Sequence, residues 1–397
     1  YLLEAHAGYT EDGVLMGVPI LTEPEAAGSN FNVPRSTFVD CMKALKEDAR
    51  LALEGLPWEY GDAAEMQRLS AKYAGADQGK VTRVFGANFI GRMSGKVVEA
   101  FVAKADLLAA SPAYSDQSGV DWKTAAASAA KVLNHIGGVD GMDPTGWTWY
   151  CNVDDIEKLS PTESPAEILW RGERAKSLSL EEDNFPPTLY GNGRINPTQN
   201  LVDAFPMLNG YPVSHLSGEY DENLPYANRD PRLEAYILYN GCKAGNTNKE
   251  IFTAADGTTN DALNKVVGRS TRTGYYLRKL LRQDISLDPN AKADQYHYTP
   301  RIRYTEIFLA YAEAANQAYG PQDKGGNGYS AYDVVKKLRH RAGIGRDNGD
   351  AYLESIKNDQ AKMAELIRNE RRIELCFEGF RFWDLRRWKS NLTETAK

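Results

Sequence analysis

The chain has 397 residues, of which 42% are hydrophobic and 25% are charged, values typical of a globular protein and unlike those of a disordered or fibrous one. The 47 Lys and Arg residues are outnumbered by 54 Asp and Glu residues, and the resulting net charge of −7 argues against a nucleic-acid partner, since phosphate binding needs a basic surface. No uninterrupted run of about 18 apolar residues predicts a membrane-spanning helix.

Three amphipathic helices are predicted in the first part of the chain, at 36–56, 92–111 and 121–136, because apolar residues recur there at intervals of three and four. Asp121 is placed to cap the third helix, and Gly137 stops it. The inner face of this helix is mostly alanine, and such small residues let two helices pack closely.

Helical periodicity fades between about 139 and 299, where Gly, Pro, Asn and Asp become frequent. Two short apolar runs, 167–171 and 234–239, predict strands. Long irregular loops on a rigid scaffold commonly carry binding residues. We therefore expect this stretch to be a loop-rich insertion and all strands to lie within it.

The helical pattern returns at 304–319 and 331–341, with Gly320 and Gly343 as stop signals. A helix–turn–helix with recurrent Ala and Tyr is similar to a tetratricopeptide unit. Helix pairs near both ends of the chain predict several such units. The predicted fold class is mostly α, with a few short strands in the insertion.

The segment 368–388 is the densest signal in the sequence. It carries three glutamates that we expect to share one helix face, each with an arginine nearby: Glu370, Glu374 and Glu378. Pairs three residues apart, such as Arg371 with Glu374, can form along a helix. We expect Leu375 and Phe377 to be buried and at least one of the glutamates to pair with an arginine inside the core.

Six segments in chain order resemble the SusD/RagB family of outer-membrane nutrient-uptake lipoproteins. They are 16–24 (MGVPILTEP), 197–205 (PTQNLVDAF), 229–233 (RDPRL), 274–279 (GYYLRK), 303–316 (RYTEIFLAYAEAAN) and 368–388 (RNERRIELCFEGFRFWDLRRW). The family's lipidated N-terminal cysteine and first helices have no counterpart here, and the chain ends soon after Trp388, where family members continue. We therefore expect a fragment that lacks both the lipid anchor and the C-terminal end.

The resemblance implies one domain over 1–397, with tetratricopeptide-like helix pairs forming a right-handed scaffold at about 1–138 and 300–397 and a ligand-side insertion at about 139–299. It implies a non-catalytic glycan-binding lipoprotein on the extracellular face of the outer membrane, attached only through its lipid anchor. Its implied partner is a SusC-like TonB-dependent transporter that receives the oligosaccharide. The alternatives are oligopeptide capture, as in RagB, and a tetratricopeptide-type adaptor that binds only protein.

An enzyme reading has less support from the residues. A glycoside hydrolase needs two carboxylates about 5–10 Å apart, and no local motif selects a pair among the 54 acidic residues. None of the five His residues forms a zinc motif. Asp140 and Asp143 could ligate calcium, but the EF-hand pattern fails. The four Cys form no CxxC pair, and their spacing does not require a disulfide. No catalytic residue, metal or cofactor is predicted.

The ligand-binding residues are sought among the aromatics, because sugar rings stack on flat aromatic faces. The chain has 22 Tyr, 12 Phe and 7 Trp, a Tyr surplus that suits either sugar binding or the edge of a large helical core. Four Trp lie in predicted helices or a strand and are expected to be structural: Trp122, Trp170, Trp383 and Trp388. The other three, Trp58, Trp147 and Trp149, lie in loop-like sequence.

In an extended chain, positions i and i+2 point the same way, so Trp147 with Trp149, and Trp58 with Tyr60, predict two-ring platforms that face solvent. The alternative is that one or both rings of a pair pack on the scaffold. The predicted ligand-binding residues are Trp147, Trp149, Tyr150, Asn152, Trp58, Tyr60 and Tyr190.

Overall fold

The computed structural model describes residues 2–160 and 163–392. The chain divides into two compact units. Unit 1 is formed by the chain up to Gly141 together with Glu306–Ala331 and Gly379–Leu392. Unit 2 is formed by Met142–Thr305 and Tyr332–Glu378. The polypeptide therefore passes between the two units several times.

Fifteen α-helices lie within the described residues. They are α1 (Leu2–His6), α2 (Phe38–Gly55), α3 (Ala63–Lys72), α4 (Gln78–Phe85), α5 (Gly95–Ala110), α6 (Trp122–Asn134), α7 (Val153–Glu157), α8 (Ser179–Asn184), α9 (Gln199–Ala204), α10 (Pro231–Tyr236), α11 (Tyr304–Tyr319), α12 (Ala331–Arg341), α13 (Ala351–Ile356), α14 (Gln360–Glu374) and α15 (Arg381–Arg387). The prediction of a mostly helical fold is confirmed.

The strands are short and pair only in twos within the described part of the chain. They are β1 (Gly8–Tyr9), β2 (Leu15–Met16), β3 (Ile168–Arg171), β4 (Ala175–Ser177), β5 (Ile237–Leu238), β6 (Lys243–Ala244), β7 (Lys249–Glu250), β8 (Tyr276–Leu277), β9 (Gln295–His297) and β10 (Pro300–Arg303). The antiparallel pairs are β1–β2, β3–β10, β4–β9, β5–β8 and β6–β7. Our prediction that all strands lie within 139–299 is wrong for β1 and β2, which are too short to show an alternating pattern, and for β10, which begins just after that stretch.

The three helices predicted in the first part of the chain form as α2, α5 and α6 of unit 1, whereas α3 and α4 were not predicted. Helix α5 packs against α6, and Ala103 of α5 and Ala129 of α6 are fully buried. Asp121 caps α6 by accepting a hydrogen bond of 2.8 Å from the backbone N–H of Thr124. Small side chains at the contact allow the two helix backbones to approach closely.

A buried ion pair attaches α15, the C-terminal helix of unit 1, to α11. Both terminal nitrogens of Arg387 in α15 donate to the carboxylate of Glu313 in α11 at 2.6 Å. The indole N–H of Trp388 donates to the same carboxylate, also at 2.6 Å. Trp388 is buried, so the prediction that it is structural agrees with these contacts.

Unit 2 has a core that is rich in tyrosine. Tyr236 and Tyr276 are fully buried, and each hydroxyl reaches a backbone carbonyl: Tyr236 donates to Trp147 at 2.8 Å and Tyr276 to Asp261 at 2.9 Å. A buried phenol needs such a partner, because an unpaired hydroxyl in the core is costly. Part of the Tyr surplus is therefore explained by core packing rather than by ligand binding.

One predicted strand of unit 2 is mostly a helix. The structure places α10 over Pro231–Tyr236, and only Ile237–Leu238 belong to a strand. Asp230 caps this helix, and Pro231 occupies its first turn, where the missing N–H costs nothing. The apolar run 234–239 thus begins as the last turn of a helix and continues as β5.

The segment 368–388 is not one continuous helix. Helix α14 ends at Glu374, and the chain turns through Phe377 at φ 64° and Gly379 at φ 87° before α15 begins. Leu375 is buried as predicted, whereas Phe377 is only half-buried. Glu378 lies beyond the end of α14, so our expectation that the three glutamates share one helix face is wrong for Glu378.

Unit 2 contains a buried network of charged side chains, which we call the ion network. Its cations and carboxylates are Arg232, Lys279, Arg303, Arg339, Arg341, Glu167, Asp230, Asp350, Glu370, Glu374 and Glu378. The prediction of a buried glutamate–arginine pair is confirmed: Glu370 lies 2.7 Å from Arg232, and neither side chain is exposed. Glu374 lies 3.1 Å from Arg232 and 3.5 Å from Arg341.

The ion network joins segments that are far apart in the chain. Four of the six segments that carry the family resemblance supply at least one of its charges: 229–233, 274–279, 303–316 and 368–388. Breaking a buried pair strands the remaining charge, which typically costs about 3–5 kcal/mol. The charged residues of these segments are therefore placed to hold unit 2 together.

The carboxylates of the ion network are not equivalent. Burial by itself would raise the pKa of Glu374, but Arg341, Arg232 and further cations lower it from 4.5 to about 2. Burial raises the pKa of Glu167 and of Asp230, and their arginine partners only partly oppose this. Glu374 is therefore the member whose ionised form the fold favours most clearly.

This difference predicts a specific pH dependence for the variant Glu374→Gln. A carboxyl whose pKa is lowered on folding contributes stability above its unfolded pKa, and that contribution disappears as pH falls toward the folded pKa of about 2. The difference in unfolding free energy between wild type and variant should therefore shrink steadily as pH is lowered from about 6 to about 3. Urea unfolding at several pH values measures it. A difference that grows in acid would contradict the prediction.

Candidate functional site

Unit 2 contains a cavity of about 560 Å³. Its lining combines apolar side chains, glycines, amides and charged groups, and it includes one of the predicted binding residues, Trp147. The lining residues are Trp147, Met207, Leu208, Asn209, Gly218, Glu219, Asn228, Pro231, Ala342, Gly343, Gly345, Arg346, Asp347 and Asn348. Two segments supply most of them, and we call 207–210 the first wall and 342–348 the second wall.

The first wall follows α9 and is fixed by backbone and amide hydrogen bonds. The N–H of Leu208 donates to the carbonyl of Asn228 at 2.8 Å. The side-chain amide of Asn209 donates to the carbonyl of Ser217 at 2.9 Å and accepts from the N–H of Tyr211 at 3.2 Å. Asn209 is thus used to shape the wall rather than to contact a ligand.

The second wall is a glycine-rich turn after α12 that is bonded directly to the first. The N–H of Gly345 donates to the carbonyl of Leu208 at 2.9 Å, and the Asn348 amide donates to the carbonyl of Asn209 at 2.8 Å. Gly345 has φ 66°, and a Cβ there would lie 2.5 Å from the Cα of Asp350. A larger residue would not fit, so the turn requires glycine at this position.

Four polar side chains of the lining have no internal partner. Among the described residues, none of them makes a side-chain hydrogen bond or an ion pair: Glu219, Asn228, Arg346 and Asp347. The guanidinium of Arg346 lies beside Gly343, where a Cβ would come within 3.8 Å of it. These groups offer donors and acceptors to a ligand, whereas Asn209 and Asn348 are already used within the walls.

Trp147 is the aromatic side chain of the cavity lining. It lies in a single 3₁₀ turn, Gly146–Thr148, and its carbonyl accepts the hydrogen bond from Tyr236. The indole is half-buried against the hydrophobic core of unit 2. One side of the ring is therefore supported by the core, while the cavity lies against the rest of it.

The predicted platform of Trp147 and Trp149 is not formed. Trp149 is buried, with 5% of its surface exposed, and so is Tyr150, which donates through its hydroxyl to the carbonyl of Ala235 at 2.6 Å. The reason is local: a 3₁₀ turn rotates the chain by about 120° per residue, so positions i and i+2 diverge instead of pointing the same way. The expectation that both indoles face solvent is wrong for Trp149.

Two further predicted residues of unit 2 lie outside the lining of the cavity. Asn152 precedes α7 and donates to Asp155 at 2.6 Å and to Thr145 at 3.2 Å, so its amide is used locally. Tyr190 is 47% exposed, and the ammonium of Lys249 lies 5.5 Å from its ring centre. A role for either residue in binding stays a prediction.

The other predicted platform belongs to unit 1. The ring of Trp58 stacks on His135, with 3.6 Å between ring centres, so one face of the indole is covered. Tyr60 is buried and donates to the carbonyl of Met93 at 3.0 Å. The two rings therefore do not form an open pair, although a contribution of Trp58 to binding stays a prediction.

Most of the cavity could not have been found from sequence patterns. Asn228 and Arg346, whose side chains are unpaired, lie close to two sequence features that did not point to a binding site. These are the family-like segment RDPRL at 229–233 and the helix stop signal at Gly343. The cavity draws on the stretch 139–299, which was predicted to carry the ligand side, and also on 342–348, which was predicted as scaffold. Repeated glycine after a helix was the available signal for this second part.

Other candidate chemistry has little support in the structure. The Asp143 carboxylate accepts from the N–H of Thr145 at 2.8 Å, as in a common turn. Nowhere in 2–160 or 163–392 do three or more His, Cys, Asp or Glu side chains gather as a metal site would require. All four cysteines are free thiols: Cys41, Cys151, Cys242 and Cys376. No helix of the described chain is both long and apolar enough to span a membrane.

Sequence relatives agree with the resemblance. The chain is 33% identical over 85 residues to SusD-like protein P38 of Formosa agariphila, which is 21% of this chain and 16% of that protein. It is 32% identical over 102 residues to SusD-like protein P2 of the same organism, which is 25% of this chain and 18% of that protein. The similarity covers only a small part of each relative.

Solved structures show the same fold. A SusD-like protein from Bacteroides fragilis aligns with 94% of this chain at a TM-score of 0.64 and 25% identity. A SusD-like carbohydrate-binding protein from the same species aligns with 94% at a TM-score of 0.62 and 22% identity. The chain spans 64% and 62% of their lengths, less than two-thirds in both cases.

The family model of the SusD family matches residues 170–397, which is more than half of the chain. This region contains the ion network except for Glu167, and most of the cavity lining. With the shared fold and the six segments in their order, the match establishes that this chain belongs to the SusD family.

Proposed function

We propose that this chain is a non-catalytic, cell-surface glycan-binding protein that captures an oligosaccharide in the cavity of unit 2. The observation that carries the proposal is that Trp147 lines the same cavity as polar side chains that lack an internal partner, including Asn228 and Arg346. The name of one structural neighbour, a SusD-like carbohydrate-binding protein, supports the ligand class.

The chemistry of the lining suits a sugar. The C–H face of a sugar ring can pack on the indole, while its hydroxyls both donate and accept hydrogen bonds. The amide of Asn228 and the planar guanidinium of Arg346 can each address two neighbouring oxygens. Binding at such an open site is expected in the micromolar to millimolar range, about −8 to −4 kcal/mol.

The same lining favours binding over hydrolysis. A glycosidase needs a general acid held in a protected environment that keeps its proton at neutral pH, paired with a second carboxylate. Among the described lining residues the carboxylates are Glu219 and Asp347, and both are exposed to solvent. Neither provides the buried acid that such chemistry requires.

Family membership supports the rest of the proposal. We infer that the protein is attached by a lipid anchor to the extracellular face of the outer membrane, and that it passes its ligand to a SusC-like TonB-dependent transporter. Both inferences rest on the family, and this chain spans less than two-thirds of the length of the two solved relatives named above.

The proposal is tested by affinity gel electrophoresis with amylopectin, laminarin, xyloglucan and galactomannan, together with a reducing-sugar assay for cleavage. Retardation by at least one polysaccharide without release of reducing ends is the expected result. Cleavage would contradict the non-catalytic role. Binding of tryptic peptides but of no glycan would favour the oligopeptide alternative, and binding of neither would favour a protein adaptor.

The variant Asn228→Ala tests whether the cavity is the binding site. The substitution removes one hydrogen-bonding amide, which should weaken glycan binding by about 0.5–1.5 kcal/mol, or about twofold to tenfold in Kd. Asn248→Ala is the matched control, because Asn248 is exposed in the same unit outside the cavity and shares the left-handed backbone of Asn228, with φ 49° against 52°. Isothermal titration calorimetry measures both. Equal affinities of the two variants would count against this cavity.

A further inference from the structure

We propose that Arg339 and Asp350 form a clamp that holds the two walls of the cavity at a fixed spacing, so that glycan affinity depends on a buried pair that lies outside the cavity lining. Arg339 acts here as a positioning residue. The effect on affinity rests on the proposed function, whereas the effect on the walls does not.

One guanidinium connects both walls. Arg339 belongs to α12 and is fully buried. Its Nη2 atom donates to the carbonyl of Gly210, at the end of the first wall, at 2.7 Å. Its Nε and Nη2 atoms donate to the two carboxylate oxygens of Asp350, just beyond the second wall, at 2.6 Å and 2.9 Å.

The Asp350 side of the clamp is fixed from several directions. Asp350 has φ 57°, a left-handed conformation that a residue other than glycine keeps only when its surroundings impose it. Its N–H donates to the carbonyl of Gly345 at 3.0 Å, and its carboxylate caps α13 by accepting from Leu353 at 3.3 Å. The second wall is thereby tied through the Asp350 backbone to the residue whose carboxylate Arg339 holds.

The Gly210 side leaves no free space. A Cβ on Gly210 would lie 2.4 Å from the Oδ1 atom of Asp350 and 2.9 Å from the Nη2 atom of Arg339. The backbone of the first wall therefore touches both members of the clamp. A loss of the guanidinium would remove one of the contacts that set the spacing between the two walls.

The clamp is anchored in the ion network. The Nη1 atom of Arg339 donates to Glu370 at 2.9 Å, and the other oxygen of Glu370 accepts from Arg232 at 2.7 Å. Arg232 follows Pro231, which lines the cavity. Lysine cannot replace Arg339 in this arrangement, because its point charge lacks the planar fork that reaches several acceptors at once.

The test compares Arg339→Lys and Asp350→Asn with wild type by hydrogen exchange and by glycan affinity. The matched control is Arg282→Lys, because Arg282 is also buried and holds Asp284 through two nitrogens, but lies outside the cavity. Hydrogen exchange is read by mass spectrometry over peptides that cover 207–211 and 342–350. Affinity is read with the polysaccharide, among the four named above, that retards the wild type most.

In both clamp variants, the backbone amides of the two walls should exchange hydrogen at least about tenfold faster than in the wild type. The amides of the strands β5 and β8 should keep their protection. The Kd of both variants for the polysaccharide should rise about tenfold, and the control should change neither reading. If Arg339→Lys does not fold, Asp350→Asn decides the test, because asparagine keeps the shape of the aspartate side chain.

Two outcomes would overturn the clamp: unchanged exchange in the walls, or faster exchange across the whole of unit 2 in Asp350→Asn. Faster exchange confined to the walls with unchanged affinity would overturn the dependence of glycan affinity on the clamp. A wild type that binds no glycan would overturn the proposed function instead. In that case faster exchange confined to the two walls would still support the clamp itself, because this measurement uses no ligand.

Discussion

Replacing Glu374 with alanine should lower the free energy of unfolding by about 3–5 kcal/mol, a stability effect as large as any that we expect from a single substitution in this chain. The carboxylate is fully buried and lies within 4.0 Å of nitrogens of Arg232, Arg341 and Arg303. Its removal would leave these buried cations inside the protein with fewer counter-charges.

The effect should be measured by urea unfolding at about pH 7, followed by tryptophan fluorescence. Glu365→Ala is the matched control, because Glu365 is on the same helix α14 but is exposed. An exposed substitution of this kind usually changes stability by less than about 0.5 kcal/mol. If both variants unfold at the same urea concentration, the ion network does not stabilise unit 2 in the way we infer.

The ion network explains why the family signature is readable in the sequence. Segments such as 229–233 and 368–388 carry charges that must meet one another inside the protein, so their residue types and spacing are constrained together. The sequence predicted that a glutamate of 368–388 pairs with an arginine. It could not show that Glu370 and Glu374 find Arg232, because that contact depends on how distant segments pack.

Helices were the most predictable part of the fold. The predicted segments 304–319 and 331–341 coincide with α11 and α12, because each has a clear 3.6-residue period and a glycine stop signal. The run 234–239 misled us because it is apolar and contains two tyrosines, features that strands and buried helix ends share. The cap formed by Asp230 and Pro231, just before the run, was the better guide.

The candidate site was less predictable for a physical reason. Its walls are turns, and the spacing between 207–210 and 342–348 is set by backbone hydrogen bonds and by the buried pair Arg339–Asp350. No periodic pattern describes such contacts. Trp147 was found because it is aromatic and lies in loop-like sequence, but the same reasoning selected Trp149, whose direction is changed by the 3₁₀ turn.

Trp147→Ala should therefore weaken glycan binding by about tenfold or more, while Trp149→Ala should mainly destabilise the protein. Stacking on an aromatic ring contributes about 0.5–1.5 kcal/mol beyond the buried area, and the loss of the ring also removes that area from the contact. Trp149 makes an edge-on contact with Tyr150 at 5.9 Å inside the core, and truncating such a residue typically costs about 3–5 kcal/mol of unfolding free energy.

The two effects are separated by measuring the melting temperature and the glycan affinity of the same preparations. Trp58→Ala serves as a third variant for comparison, because Trp58 is a half-buried tryptophan of unit 1. Trp147 keeps its backbone contact with Tyr236 after truncation, so its variant should remain folded and lose mostly affinity. Trp149→Ala should bind normally in the fraction that stays folded, since its ring does not reach the cavity. If Trp58→Ala abolished binding and Trp147→Ala did not, the glycan site would lie in unit 1, and the cavity of unit 2 would need another explanation.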